Sequence, residues 1–215
     1  MSIIYNIKTF DKNATAPVND LAMLHRKLLP WSPVAELGDR FMKRFYYNDL
    51  PKAGYIFGAI AYVDKLPVGF ISATHDSNGF MRLAMQKLWW RLIWEVGINS
   101  LFYPKSILSI LKAARITESR KTKSRAQLEG EILSLGVLPD YTDFRYIHKT
   151  GLRIANDLLH RTMVQLQTKE IKLVRAYIFA DSPSTQLFYH GQGWKIERSN
   201  ISGWKAPVVE FVWRK

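Results

Sequence analysis

Two stretches of the chain place acid–base groups within apolar sequence. The first, 129–141, holds Glu129 and Glu131 at alternate positions of a predicted strand, so both side chains share one face. A carboxylate that lines an apolar cleft can act as a general base. The second, 181–194, holds Tyr189 in a predicted helix, where we expect Phe188 to face the core and Tyr189 a neighbouring cleft. The alternatives are a strand-end carboxylate and a buried tyrosine without chemistry.

Turn and cap signals define the elements that must position these groups. Pro139-Asp140 ends the first strand, and the apolar run 171–179 predicts a second. Ser182 at the N-cap and Pro183 at the first helical position predict the start of the last helix. Between the strands, an amphipathic helix is predicted by the spacing of Leu152, Ala155, Leu159, Met163 and Leu166. Strand, helix, strand and helix in this order predict a parallel pair joined by a crossover.

The same stretches resemble the GNAT acyltransferase superfamily. Residues 181–194 resemble its C-terminal pattern, Asn-x-x-Ala-x-x-x-Phe-Tyr-x-x-x-Gly-Phe, and residues 129–141 resemble its central strand, Glu-Ile-x-x-Leu-Ala/Gly-Val-x-Pro-x-Tyr. The matched pieces occur in the family's order. The resemblance implies an α/β (α+β) fold with a mixed sheet of about seven strands, splayed at the coenzyme site and flanked by helices.

The resemblance also implies a reaction, the transfer of an acyl group from acetyl-CoA or another acyl-CoA cosubstrate to a primary amine, without a metal. Glu131 would be the general base, with Glu129 as its substitute, and Tyr189 would protonate the departing thiolate. The backbone of Leu135 and Val137 would bind the pantetheine arm. The coenzyme-binding residues that the resemblance implies are Leu135, Gly136, Val137, Lys149, Thr150, Gly151, Leu152, Arg153, Ile154, Ala155, Ser182 and Ser184.

One motif departs from the family pattern. The pyrophosphate-binding loop usually reads Arg/Gln-x-x-Gly-x-Gly/Ala, and its best register here is 150–155. Thr150 stands where Arg or Gln is expected and Arg153 where the first Gly is expected, so only Ala155 fits. A helix N-terminus binds anions through its free N–H groups whatever its side chains are. Both a working coenzyme site and a degenerate scaffold, which binds coenzyme or a partner without catalysis, stay open.

Composition excludes several other classes of protein. The 215 residues are 47% hydrophobic, enough for the core of a single domain, 1–215. The chain has no cysteine, which excludes disulfides, thiolate zinc sites and a cysteine nucleophile. The five histidines lack metal-ligand spacing, and no P-loop motif occurs. The absence of cysteines and of a signal-like N-terminus predicts a reducing, cytoplasmic location.

The net charge of +13 favours an anionic partner, and basic residues concentrate in 112–125. A solvated loop, anionic lipid, an anionic substrate and nucleic acid are the interpretations. The absence of a nucleic-acid-binding motif argues against the last. Coenzyme A is itself polyanionic, so a positive field suits an acyl-CoA enzyme.

The N-terminal half predicts a strand at 3–10, helices at 19–28 and 34–47, and a hairpin of strands 55–63 and 68–74. In the family, two helices follow the first strand and line the acceptor pocket. The segments match that order but carry no specific motif.

The connection at about 76–127 is far longer than an ordinary loop and is the chain's own feature. Helical spacing of apolar residues predicts one helix around 81–96 and another at 106–114. This insertion between the third and fourth strands can cover the acceptor cleft, form a homodimer contact, or lie on a membrane surface through 80–115. We favour the first, and with it a small-molecule amine such as an amino sugar. A protein or peptide amine is the alternative.

Overall fold

The computed structural model describes residues 3–77, 79, 129–201 and 206–215. Its strands are β1 Tyr5–Phe10, β2 Phe57–Val63, β3 Leu66–Thr74, β4 Glu129–Val137, β5 Leu173–Phe179, β6 Lys195–Ile201 and β7 Val208–Arg214. They form one mixed sheet in the order β1-β2-β3-β4-β5-β7-β6. The strands β4 and β5 are parallel and the other neighbours antiparallel. The predicted mixed sheet and its parallel pair are confirmed.

The helices, in chain order, are α1 Val18–Leu28, α2 Pro33–Glu36, α3 Asp39–Phe41, a π-helix Met42–Asp49, α4 Leu50–Lys52, a 3₁₀-helix Pro139–Tyr141, α5 Phe144–Thr150, α6 Ile154–Gln167 and α7 Pro183–Gly191. The helices predicted at 81–96 and 106–114, and the basic run 112–125, lie outside the described residues.

The helix predicted at 34–47 is instead a broken helical segment that spans 33–52. Gly38 has a φ of 92°, a conformation that glycine adopts at little cost and that interrupts the helix. Beyond it, α3 continues into the π-helix, which is a rare form that is frequent at functional sites. Apolar periodicity marks helical residues but does not distinguish an α-helix from a π-helix, so the prediction missed this change.

The sheet buries two hydrophobic cores, one on each face. On one, called here the α6 face, Leu158, Leu166 and Trp194 pack with Ile132. On the opposite α1 face, α1 and the helical segment 33–52 pack on β2 and β3, with Leu24 and Phe45 among the buried residues. The two faces therefore offer separate surfaces on either side of β4.

Candidate functional site

The sheet opens between β4 and β5. These strands pair only where Glu129–Ile132 lies beside Leu173–Ala176. Beyond that point β4 stays paired with β3 as far as Val137, and β5 stays paired with β7 as far as Phe179. The result is a wedge-shaped gap whose apex lies at the last parallel pairs, as the resemblance implied.

A bulge in β4 decides which side chains face each side of this gap. Leu133 is the extra residue, since the register with β3 skips it. Ile132 and Leu135 pack on the α6 face, whereas Leu133 packs on the α1 face. By alternation Glu131, one residue before Ile132, also faces the α1 side. The bulge thus separates the candidate base from the residues that line the α6 side of the gap.

Backbone groups of β4 point into the gap. The N–H of Leu138 donates to the carbonyl of Val68 at 2.8 Å, so its backbone faces β3. Because backbone groups alternate sides along a strand, those of Gly136 face β3 as well, and those of Leu135 and Val137 face β5. The strand β5 does not pair with them there. Leu135 and Val137 therefore present donors and acceptors to a ligand in the gap.

The N-terminus of α6 lies at the open end of the gap. A methyl group at Gly69 would come within 3.3 Å of the side chains of both Val137 and Leu158, and one at Gly130 would lie 2.9 Å from Leu166. The helix therefore runs antiparallel to β4, with its first turns beside the end of that strand.

The loop 150–155 leads into the start of α6, although its sequence departs from the family pattern. Gly151 ends α5 with a φ of 73°, and Arg153 is the exposed N-cap of α6. No side chain caps the helix, and its first intrahelical bond runs from the N–H of Asp157 to the carbonyl of Arg153. The N–H groups of the first turn, from Ile154 onwards, therefore have no intrahelical acceptor, as in helix starts that bind anions. The exposed Arg153 adds positive charge, so these residues fit a pyrophosphate.

The neighbouring predicted coenzyme residues lie at the end of α5 and at the start of α7. Lys149 and Thr150 lie in the last turn of α5, where the Thr150 hydroxyl donates to the carbonyl of Tyr146. Ser182 is the N-cap of α7, but its hydroxyl bonds that of Thr185 at 2.9 Å instead of capping a backbone N–H. Ser184 is exposed in the first turn of α7. A ligand role for either serine stays a prediction.

Tyr189 does not have the predicted orientation. It is buried, with 2% of its surface exposed, and its ring contacts those of Trp194 and Phe211 at centroid distances of 5.0 and 5.8 Å. Phe188 is only half-buried. The expectation that Phe188 faces the core and Tyr189 a cleft was wrong, because α7 turns Tyr189 towards the apolar β7. Burial raises the pKa of Tyr189 well above its ordinary value, so the hydroxyl keeps its proton at neutral pH.

Glu131 lies at the apex of the gap and is 3% exposed. The hydroxyl of Ser77 donates to its Oε2 at 2.6 Å. The N–H of Ser77 donates to the carbonyl of Glu129 at 2.8 Å, which fixes Ser77 beside β4. No motif marks Ser77, which follows β3 in the sequence, so sequence reasoning missed it.

Glu129 is committed to an ion cluster. Nε and Nη2 of Arg175, on β5, lie 3.0 and 3.3 Å from its two carboxylate oxygens. Arg175 also binds Glu210, which is fully buried and accepts further bonds from Arg198 and Tyr177. This pairing argues against Glu129 as a substitute base. The register of β4, β5 and β7 brings these residues together, and no local motif predicted their contact.

Electrostatics support the assignment of this cluster. Burial favours a higher pKa for Glu210, but hydrogen bonds from Arg198 and Arg175 and their charges outweigh it and lower that pKa below its ordinary value. Burial alone would lower the pKa of Arg175. Its hydrogen bonds to Glu129 and Glu210 outweigh burial and raise that pKa above its ordinary value. Glu210 therefore stays ionised together with Arg175 and Arg198.

The π-helix brings Tyr46 to the same region. Its hydroxyl lies 3.5 Å from that of Ser72 on β3. Burial, assisted by the nearby charge of Glu131, raises the pKa of Tyr46 to about 12, while bonds to Ser72 and Ser134 oppose the rise. A protonated tyrosine thus stands near the candidate base, which sequence reasoning also missed.

The described part of the chain holds neither a cluster of metal-ligating side chains nor a membrane-spanning helix. No group of three or more His, Asp and Glu side chains there could hold a metal ion. None of the described helices is long and apolar enough to span a bilayer.

Comparisons with known proteins agree with this architecture. No protein-family model and no curated protein matches the sequence. Among solved structures, the NatC complex bound to Gag peptide and CoA matches 100% of this chain and 99% of its own, with 14% identity and a TM-score of 0.57. NAA60 of Arabidopsis thaliana in complex with acetyl-CoA matches 98% of both chains, with 14% identity and a TM-score of 0.57.

A GNAT-family acetyltransferase from Streptococcus pneumoniae matches 99% of this chain and 100% of its own, with 12% identity and a TM-score of 0.56. Identities this low show the fold alone. The chain has the fold of the GNAT acetyltransferases.

Proposed function

We propose that the protein is an acyl-CoA-dependent N-acyltransferase, most simply an N-acetyltransferase, that acts on a primary amine. The observation that carries the proposal is the gap between β4 and β5, with outward backbone groups on one side, an uncapped helix N-terminus at its open end and Glu131 at its apex. An extended anionic thioester and a nucleophilic amine can meet at such a site.

The chain's own groups have separable tasks. The first turn of α6 and Arg153 bind the pyrophosphate, and the backbone groups of Leu135 and Val137 bind the pantetheine arm and polarise the thioester oxygen. Acetyl-CoA supplies the activated acyl group when bound. Glu131 accepts the proton of the amine, directly or through a water molecule. The family resemblance assigns protonation of the leaving thiolate to Tyr189, but its side chain is buried against Trp194 and Phe211, so this role stays a prediction.

For the acceptor we retain a small-molecule primary amine, such as an amino sugar. A peptide or protein amine is the second candidate, favoured by the peptide bound in the NatC structure and by the match to the ribosomal-protein-S18-alanine N-acetyltransferase of Escherichia coli. In both cases Glu131, buried on the α1 face, is the group that an incoming ammonium must reach. A non-catalytic scaffold is the third candidate, motivated by Thr150 and Arg153.

Release of the coenzyme A thiol in the presence of acetyl-CoA and a panel of amino sugars and short peptides tests the reaction and sorts the acceptors. We expect Glu131→Gln to lower turnover by about a hundredfold or more, because the base is lost. Glu197→Gln is the matched control, since Glu197 is exposed on β6 and paired with Arg214. Full turnover in the Glu131→Gln variant would exclude Glu131 as the base. Absence of thiol release with every amine would contradict the enzymatic proposal.

A further inference from the structure

We propose that Ser77 is a positioning residue for the candidate base, and that its hydroxyl holds the Glu131 carboxylate in one orientation. This inference rests on the proposed function for its catalytic meaning, but its physical content concerns Glu131 itself. The contact that carries it is the 2.6 Å hydrogen bond from Ser77 Oγ to Glu131 Oε2.

The bond is short and buried. Each of the two residues has only 3% of its surface exposed. A hydroxyl that donates to a carboxylate makes a charge-assisted hydrogen bond, which is stronger than a neutral one and strengthens as water is excluded. Protonation of Glu131 removes the charge that makes this bond strong. Ser77 therefore restrains one carboxylate oxygen of the candidate base at a fixed point.

The backbone fixes Ser77 where it can act. The chain turns at the end of β3, where the N–H of Asp76 donates to Thr74 Oγ1 at 3.2 Å. The N–H of Ser77 then donates to the carbonyl of Glu129 at 2.8 Å. Glu129 is itself held by Arg175 of β5 through two hydrogen bonds. Ser77 is thus tied to a point that is fixed by two strands, and its hydroxyl needs little further ordering to reach Glu131.

A purely structural serine is the competing interpretation. It predicts that loss of the hydroxyl lowers stability without changing how Glu131 titrates. Thr162 offers a matched control, since it is also fully buried, lies in the second half of α6 and has a hydroxyl without a hydrogen-bond partner. Thr162→Val removes a buried hydroxyl of similar size outside the proposed site.

The direct test is a carboxyl-carbon NMR titration of protein labelled with ¹³C-glutamate, with the Glu131 signal assigned from its loss in Glu131→Gln. Ser77→Ala should move the titration midpoint of Glu131 up by about one pH unit or more, as expected for loss of a charge-assisted bond. Ser77→Thr keeps the hydroxyl and should restore the wild-type midpoint, and Thr162→Val should not change it. If Ser77→Ala does not fold, Ser77→Cys, whose thiol is a weak donor, should shift the midpoint in the same direction. An unchanged midpoint in the folded Ala or Cys variant would overturn the proposal.

Turnover provides the second readout and separates the two proposals. With an acceptor identified, the acidic limb of kcat/KM should move to higher pH in Ser77→Ala by the same amount, while the KM for acetyl-CoA stays unchanged. If the limb stays in place, Ser77 does not act through the base. If the wild-type protein turns over no amine, the proposed function fails, and the NMR titration still decides whether Ser77 controls Glu131.

Discussion

At the scale of single residues, the structure separates two glutamates that the sequence treats alike. Glu129 and Glu131 are two positions apart on β4 and both are buried. Glu129 is neutralised by Arg175, whereas Glu131 accepts a hydrogen bond from the uncharged Ser77. Because Arg175 holds Glu129 in the ion cluster, Glu131 is the better candidate for chemistry.

The ion cluster around Arg175 gives a stability prediction. Arg175→Met should lower the free energy of unfolding by about 3–5 kcal/mol, because it removes the guanidinium group that pairs with both buried glutamates, Glu129 and Glu210. Arg214→Met is the control, since its ion pair with Glu197 is largely exposed and should be worth about 0–1 kcal/mol. Urea denaturation measures both. Equal effects of the two substitutions would show that the cluster is not buried as described.

Motifs predicted residues at this scale only where the chain is locally distinctive. The Phe188-Tyr189 pair and the strand at Glu131 were found because their neighbours form a recognisable sequence pattern. The predicted orientation of Tyr189 was wrong, because α7 has few turns and its apolar residues do not define one face. Ser77, Arg175 and Tyr46 were missed because their proximity to Glu131 or Glu129 arises from strand register and helix packing.

At the scale of elements, a buried histidine joins α1 to the π-helix. His25 is fully buried, with Nδ1 2.6 Å from the hydroxyl of Tyr47 and Nε2 2.7 Å from that of Ser32. Its ring also stacks on Phe70 of β3. Ser32 in turn caps α2, so one imidazole connects three helical elements on the α1 face.

This imidazole makes the fold sensitive to acid. Burial lowers the pKa of His25 from 6.5 to about 4, so the unfolded chain binds the proton more tightly than the folded one. The stability it supports is therefore present at neutral pH and is lost as the pH falls from about 6.5 towards 4. Urea denaturation at pH 7 and pH 5 should show a loss of about 2 kcal/mol from this group. His25→Gln should show a correspondingly weaker dependence, and an unchanged dependence would contradict the assignment.

The N-terminus of α6 tests whether helix geometry can replace a glycine-rich loop. Arg153→Gly should weaken the affinity for acetyl-CoA only modestly, because the free N–H groups remain while one positive charge beside the phosphates is lost. Arg153→Glu should weaken it, because a negative charge then stands beside an anion site. Arg161→Glu, which makes the same charge change at an exposed position two turns along α6, is the control. Isothermal titration calorimetry measures the three affinities. Equal affinities for Arg153→Glu and Arg161→Glu would place the phosphates elsewhere.

At the scale of the whole molecule, the order of elements was predictable and their spatial relations were not. Period-two and helical patterns marked β1, α1, the β2–β3 hairpin and the β4–α6–β5–α7 unit, since each follows from local burial. The gap between β4 and β5 is a failure of pairing that no local pattern records, and it was expected through the family resemblance alone. The helical segment 33–52 was only partly predicted, because apolar periodicity does not distinguish an α-helix from a π-helix.

The net charge of +13 also acts at this scale. A strongly basic protein attracts a polyanionic cosubstrate through long-range electrostatic forces. Salt screens these forces beyond about 10 Å at 0.1 M ionic strength. The affinity for acetyl-CoA should therefore fall as the salt concentration rises. Titrations at two salt concentrations measure this, and an affinity independent of salt would show that the surface charge serves another partner.

The measurement that tests the central claim most directly is thermal unfolding with and without acetyl-CoA. At a hundredfold excess over Kd, binding should add about 2.7 kcal/mol to the stability of the folded state. For a chain of this size the expected rise in Tm is roughly 5–10 °C. Such a rise would establish a coenzyme site despite Arg153 at the N-cap of α6. An unchanged Tm at millimolar acetyl-CoA would contradict the account and favour a non-catalytic scaffold or a different acyl donor.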